Sequence, residues 1–502
     1  EGPNWIQIGT EGGFLPAPAV LPAQPITWVT DPTVFNAGNV DKHSLLVGPA
    51  ERADVIVDFS AYAGQTLILY NDAPAAFPAR DPRYDYYTGN GDYRDTGGAP
   101  STLPGYGPNT RTVMQIKVAA APAAPAFNLN NLQTAFKAES LGGQGVFKNG
   151  QHPIIVGQGA YNSAYGTTFQ NNGPLAGLVQ IFNTSFTFKT LGGLTLTMPL
   201  RPKQIQDEMG EAFEPEYGRM SGFLGLETPN AQAGLQNMLL YPFATPPTEI
   251  LRGIELPPGV ELTPITTIDD GTQIWKITHN GVDTHPVHFH LYDVQLINRV
   301  GWDGIIRKPD PNELGWKDTV RISPLEDTIV AFRPLVPNIP WDLPNSVRLL
   351  DPSQPEGVLL TDTGMAIFDP SGQPVQITNH FVNFGWEYVW HCHILSHEEM
   401  DMMRPQALGV RPRTPSNLFG TLSGTGASRV MNLTWSDNSL NETSFTVQRA
   451  TSTAGPWTNL IVLPANTTTY GDPIGDTTQT YVYRVFASNT VGDTAVYAAS
   501  IG

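Results

Sequence analysis

The sequence predicts an all-β protein, and three observations carry that expectation. The chain has 49 glycines and 45 prolines, which supplies turns at short intervals. Between them recur runs of five to seven residues in which apolar and polar side chains alternate, the period of a half-buried strand. The 502 residues are also enough for three or four domains, at about 100 to 200 residues each.

Taken in order, residues 1–118 hold alternating strands at Asp54–Phe59, Thr66–Tyr70 and Thr112–Val118. The chain opens Glu1-Gly2-Pro3-Asn4-Trp5-Ile6, as though in mid-domain. Asp81–Gly98, with tyrosines at 84, 86, 87 and 93, has the composition of a polar surface loop. Residues 119–175 read as a connector: an Ala/Pro tract at 119–126, then a stretch without period. Residues 176–411 return to strands, expected at Phe182–Phe188, Gln273–Thr278, Tyr292–Ile297, Thr319–Ile322, Thr328–Phe332 and from His380 to Trp390. Residues 412–502 are rich in Thr, Ser and Asn, with strands at Met431–Trp435, Ser444–Arg449 and Tyr481–Gly492.

The chemistry concentrates in His391-Cys392-His393-Ile394-Leu395-Ser396-His397-Glu398-Glu399-Met400-Asp401-Met402-Met403. Cys392 is the only cysteine, and it is flanked by two of only ten histidines. A thiolate, imidazoles and a nearby thioether form the donor set of a blue copper electron-transfer site. Cys392 and His397 are the expected equatorial ligands and Met402 the long axial one, with Met400 and Met403 as core filler. Zinc is disfavoured, because structural zinc sites bring several cysteines at paired spacing. On a strand, His391 and His393 point one way and Cys392 the other. One copper then sits on the cysteine face and further metal on the histidine face, joined through two peptide units.

A second stretch, His285-Pro286-Val287-His288-Phe289-His290, again places two histidines on one face, His288 and His290. His-Pro-x-His-x-His followed by His-Cys-His-x3-His-x4-Met resembles the C-terminal copper motifs of the multicopper oxidases. HCHILSHEEMDMMRP, together with GWKDT at 315–319, is similar to bacterial laccases of the spore-coat type and to bilirubin oxidases. The resemblance covers most of residues 1–411. It implies cupredoxin-like Greek-key sandwiches: a partial second cupredoxin domain without copper ligands at 1–118, matched by GPAERADVIVDFS at 48–60, and a third, copper-binding one at 176–411. It implies a type 1 copper on His285, Cys392, His397 and Met402, a type 2 copper on His288, and a type 3 pair on His290, His391 and His393. Glu398 resembles an acidic position near the proton path to oxygen; it could equally be a solvated charge. Only two of the family's four His-x-His pairs are present. The resemblance therefore implies a partner, the N-terminal portion of the same oxidase, with the type 2 and type 3 coppers only half-ligated here. It also implies an extracellular or cell-surface location.

Residues 412–502 resemble a fibronectin type III module, with Tyr481 as its corner tyrosine and Trp435 in its core. Adhesion, spacing or partner binding is its expected role, and its deletion from Pro415 is expected to spare oxidase activity. The net charge of −18, from 46 acids and 28 bases, argues against nucleic acid and anionic membranes. No apolar run is long enough to span a bilayer. The implied reaction couples one-electron oxidation of a phenol, a bilirubin-like pigment or a metal ion such as Mn(II) to reduction of dioxygen to water. Two alternatives stand beside it: a copper nitrite reductase, which shares the type 1 donor set, and a non-enzymatic copper-binding or adhesive surface protein.

Overall fold

The computed structural model describes residues 1–34, 40–156, 180–207, 222–228, 237–240 and 245–501. Within these, 74–76, 78–82, 84, 86, 107–108, 122–123, 182–184, 280, 282, 302–303, 305, 361–366, 369–373, 400–401 and 495–496 are not described. The last part of the unpatterned connector (157–175), the opening of the strand expected at 182–188, and Met400 therefore lie outside the described residues. Strands dominate what is described, and the protein is all-β. By packing, the chain divides into two compact units. One comprises 1–241, 258–333 and 390–403; the other comprises 242–257, 334–389 and 404–502. This grouping runs across the segment boundaries read from the sequence.

The first unit opens with β1 (Trp5–Thr10), β2 (Gly13–Leu21) and β3 (Ala53–Val57), an antiparallel sheet with β1 in the centre. The hairpin β4 (Thr66–Tyr70) and β5 (Thr112–Lys117) follows. Residues 128–156, expected to cross the surface without structure, instead form two short helices on β2. In α1 (Leu129–Phe136), Asn128 caps the N-terminus by accepting from Asn131 N–H at 3.1 Å. Phe136 at its end is buried edge-on against Phe14, with ring centroids 5.9 Å apart. Phe147 in α2 (Val146–Asn149) is buried with Ile154 and Leu314. The aromatic anchors are too far apart to show a helical period, so packing rather than amphipathicity orders this segment.

The part of the unit that carries both histidine motifs is a sandwich of two sheets. A seven-stranded sheet contains β6 (Arg201–Asp207), β7 (Gln273–His279), β8 (Val294–Gly301) and, between β7 and β8, a strand Glu326–Phe332. β6 runs parallel to β7, which pairs antiparallel with Glu326–Phe332. The facing sheet holds the strand His285–Phe289, flanked antiparallel by Thr319–Ile322 and by the end of Trp386–Cys392. Trp275 from β7 packs between the sheets against Phe289, Phe332 and Trp390, with centroids 5.8, 5.0 and 5.3 Å away. Trp275, Phe289, Phe332 and Trp390 are all buried. Truncating one such core aromatic to alanine costs about 3–5 kcal/mol.

In the second unit, Phe381–Asn383 pairs through Asn383 with Gly492 of the long C-terminal strand Val482–Asp493. Asn489 of that strand is fully buried. Its Nδ2 donates to Asn345 Oδ1 at 3.1 Å and to Val410 O at 3.2 Å. Asn345 Nδ2 donates back to Asn489 Oδ1 and to Asn441 O. A Cβ on Gly409 would stand 2.8 Å from Ile501 Cγ1. The C-terminal module is thus knitted to residues 334–389 and 404–410 by buried amides and close packing. Its own core is Leu433, Trp435, Phe445, Val447 and Ala487, with Trp435 where the sequence placed it. Tyr481, expected at the corner, lies under the Arg449 guanidinium instead. Tyr483 makes the hydroxyl hydrogen bond, to Asp472 Oδ2 at 2.7 Å.

Candidate metal centre

The register between two strands positions the centre of the candidate site. Val287 opposes Cys392, and His288 opposes His391. Because side chains alternate, Cys392 faces the interior, and His288, His290, His391 and His393 gather on the other face. Both positions were expected from the sequence.

On the cysteine face, Cys392 Sγ lies 3.4 Å from His285 Nδ1 and 3.3 Å from His397 Nδ1. Cys392, His285, His397 and Met402 are each fully buried. The turn between them is closed by backbone hydrogen bonds: Cys392 N–H donates to Met402 O, and Met402 N–H donates to His397 O. Burial pushes the Cys392 thiol far above its usual range. It also lowers His397 to about 3, with the His285 imidazole adding to the effect. Burial thus keeps Cys392 a thiol at neutral pH, and a metal that binds must release the thiol proton. One sulfur and two Nδ1 nitrogens, buried together, suit a soft ion such as copper.

On the histidine face, His288–His290, His290–His391 and His391–His393 ring centroids are 4.8, 5.0 and 5.2 Å apart. Second partners settle which nitrogen points inward. Thr319 Oγ1 donates to Asp318 Oδ1, so it accepts from His288 Nδ1–H at 2.9 Å and leaves Nε2 free. His391 Nδ1 lies 2.8 Å from Glu398 Oε1 and 3.1 Å from Cys392 O, so its proton is there and its Nε2 turns inward. That Nε2 meets His290 Nε2 at 3.1 Å. Two ring nitrogens that converge in this way need a proton or a metal between them. Burial, then the neighbouring imidazoles, lower His290 to about 4. Burial likewise lowers His391 to about 4, against a raising hydrogen bond to Cys392 O. Glu398 thus sits against a candidate ligand rather than free in solvent.

The N-terminal segment supports this face. Glu11 Oε1 accepts the backbone N–H groups of Asp318 and Thr319 at 3.3 and 3.2 Å, and Lys317 Nζ lies 3.1 Å away. Arg52 grips Asp318 with two hydrogen bonds, of 3.2 and 2.7 Å. Burial would raise the Asp318 carboxyl, but His288, Arg52 and Thr319 together hold it well below the usual carboxylate range. Glu51 completes the link, reaching Lys317 at 3.2 Å and Arg321 at 2.9 Å.

Sequence reading missed His279 and Asp207. His279, which fits no ligand spacing, packs edge-on against His285 with ring centroids 4.9 Å apart. It is no free ligand: Gly281 N–H donates to its Nδ1, and its Nε2–H donates to Asp283 O at 2.6 Å. Asp207 contacts His285 from 78 positions away, and no motif announces it.

The family model described as Multicopper oxidase matches residues 233–341, a span that contains His285, His288 and His290. The chain is 29% identical over 147 residues to a laccase of Haloferax volcanii, covering 29% of this chain and 17% of that protein. It is 26% identical over 147 residues to a laccase of Bacillus subtilis, covering 27% of this chain and 20% of that protein. Those alignments span only about a fifth of the relatives' length. A solved multicopper oxidase from Campylobacter jejuni, described as a metallo-oxidase, aligns with 82% of this chain and 49% of its own, at 14% identity and a TM-score of 0.32. The stretch that holds the first histidine motif thus matches the multicopper oxidase family model, and part of the chain is similar to laccases.

Proposed function

We propose that the chain is the C-terminal part of a laccase-like oxidase that passes electrons, one at a time, from a small reducing substrate to dioxygen. A phenol, a bilirubin-like pigment and a metal ion such as Mn(II) all fit that chemistry. His285, Cys392, His397 and Met402 would hold a type 1 copper, His288 a type 2 copper, and His290, His391 and His393 the type 3 pair. Copper bound there would supply one-electron acceptance beside Cys392 and four-electron reduction of dioxygen to water beside the imidazoles. Cys392 would serve as the link, since its peptide neighbours His391 and His393 stand on the opposite face. Thr319 and Glu398 would keep His288 and His391 in the tautomer that offers Nε2. Glu398, 2.8 Å from His391 Nδ1, could also hold a proton close to where oxygen is reduced.

The remaining His-x-His pairs would come from an N-terminal portion of the same oxidase. The state of the imidazole face supports this reading. His288, His290 and His393 are half-buried, and beside them Leu291 and Leu395 are 70% and 68% exposed, an apolar rim suited to a docked surface. We place residues 1–118, 119–175, 176–411 and 412–502 as partial cupredoxin domain, connector, copper domain and fibronectin-like module. The working location would be outside the cell or on its surface. Among the described residues, no helix is long and apolar enough to cross a membrane.

The observation that carries the proposal is the register that puts one sulfur on one face and four imidazoles on the other. The test is to purify the protein with whatever chain accompanies it, load it with copper, and follow colour and oxygen uptake with a phenol. Blue colour with oxygen uptake is expected. The isolated chain, refolded with copper, should turn blue without reducing oxygen. Nitric oxide formation from nitrite, without oxygen uptake, would overturn the proposal.

A further inference from the structure

We propose that Asp207 is a positioning residue for His285, fixing its tautomer and raising its donor strength, so that it sets the copper affinity and potential of the Cys392 pocket. The inference rests on the assignment of that pocket to copper.

Asp207 ends β6, the strand parallel to β7, and this places it behind His285. Its Oδ2 accepts from His285 Nε2–H at 2.9 Å, and neither side chain has any solvent-accessible surface. The same oxygen accepts the backbone N–H of Asp283 at 2.8 Å. Oδ1 is confined by Gly281: a Cβ at that position would overlap it, so only glycine lets the loop approach. The carboxylate therefore has one orientation, fixed by the loop that leads into His285.

Three effects follow from this geometry. The proton of His285 is held on Nε2, so Nδ1, 3.4 Å from Cys392 Sγ, presents its lone pair to the metal position. A carboxylate on the remote N–H makes an imidazole a stronger donor, which favours the more positive, oxidised ion. The effect is also one-sided. His397, the matching imidazole, has its Nε2 buried with no hydrogen-bond partner. The two imidazoles of the pocket are thus inequivalent, and Asp207 makes them so.

A purely structural alternative is that Asp207 only staples the loop 281–285. Asp207→Asn separates the two roles, because its amide oxygen can still accept from both N–H groups but carries no charge. Copper-loaded parent and variants would be compared by redox titration of the blue absorption and by competition with a copper chelator. Asp207→Asn should keep its colour, titrate at a higher potential and bind copper less tightly. Asp207→Ala should lose about 10- to 100-fold in copper affinity, the usual loss when an outer partner of a metal-bound histidine is removed. If Asp207→Ala fails to fold, Asp207→Asn alone decides. An Asn variant with the parent's potential and copper affinity would overturn the inference. A parent that never turns blue would instead refute the copper assignment beneath it.

Discussion

The two faces of one strand could hardly differ more. Around Cys392 the pocket is sealed: its sulfur, two imidazoles and a thioether are all fully buried. Across the strand, three of the four imidazoles are half-buried and their inward nitrogens meet each other rather than a completed shell. Under the proposed assignment, the sealed side would hold all the donors of a type 1 copper and the open side half of those of the cluster. Exposure would then track completeness: the donor set that this chain supplies in full is buried, and the one that a partner would complete is half-exposed.

The comparison is broken most completely at Cys392. Cys392→Ser should abolish the blue absorption while circular dichroism stays that of a β protein, because serine is nearly isosteric. A variant that stays blue would show that the sulfur is not the ligand.

The next largest effect is expected on the open face. Glu398→Gln removes the anion from His391 Nδ1 and should weaken copper there by about 10- to 100-fold, leaving the blue absorption unchanged. Copper counted per chain, read beside the spectrum, distinguishes the two faces. A variant that loses colour and copper together would show that the sites are not separable.

Acid tests both faces without copper. His290, His391 and His397 are lowered to about 4, 4 and 3, chiefly by burial, from an ordinary value of 6.5. Below 6.5 the unfolded chain takes up protons that the folded chain refuses. The stability that these groups contribute is therefore complete above pH 6.5 and is lost as the pH falls towards 4 and 3. Thermal melting of the copper-free chain should fall through that window, and bound copper should narrow the loss. Flat melting temperatures from pH 7 to 4 would contradict the burial of these imidazoles.

The smallest effect belongs to Met402. Met402→Leu should keep the copper and the colour and shift the potential upward, because a weak donor to the oxidised ion is gone. Loss of copper in this variant would contradict the axial assignment.

Both histidine motifs were legible because each ligand set lies within a few residues and strand alternation sorts its members. The strands at 66–70, 273–279 and 319–322 were legible for the same reason of short period. What the sequence hid was long-range. Glu11 reaches Thr319 across 308 positions and Asp207 reaches His285 across 78, and neither lies in a motif. The C-terminal module reads as a detachable bead because its strands are locally regular. Asn489, buried between Asn345 and Val410, argues otherwise. Deletion from Pro415 would strip Asn383 of its pairing with Gly492 and remove the amide partner of Asn345 and Val410 O. The deletion should therefore lower the stability of this unit, which thermal melting of the truncated chain would read beside its oxidase activity.

The pairing of Val287 with Cys392 and of His288 with His391 has a genetic consequence. A one-residue insertion or deletion in the strand that ends at Cys392 would exchange its two faces. The sulfur would turn to the open side and the imidazoles inward, so a single frame-preserving codon change would destroy both centres at once. Point substitutions can cripple either centre and spare the other, whereas an altered strand length cannot. In a library of length variants, colour and oxygen reduction should vanish together, and no survivor should keep only one.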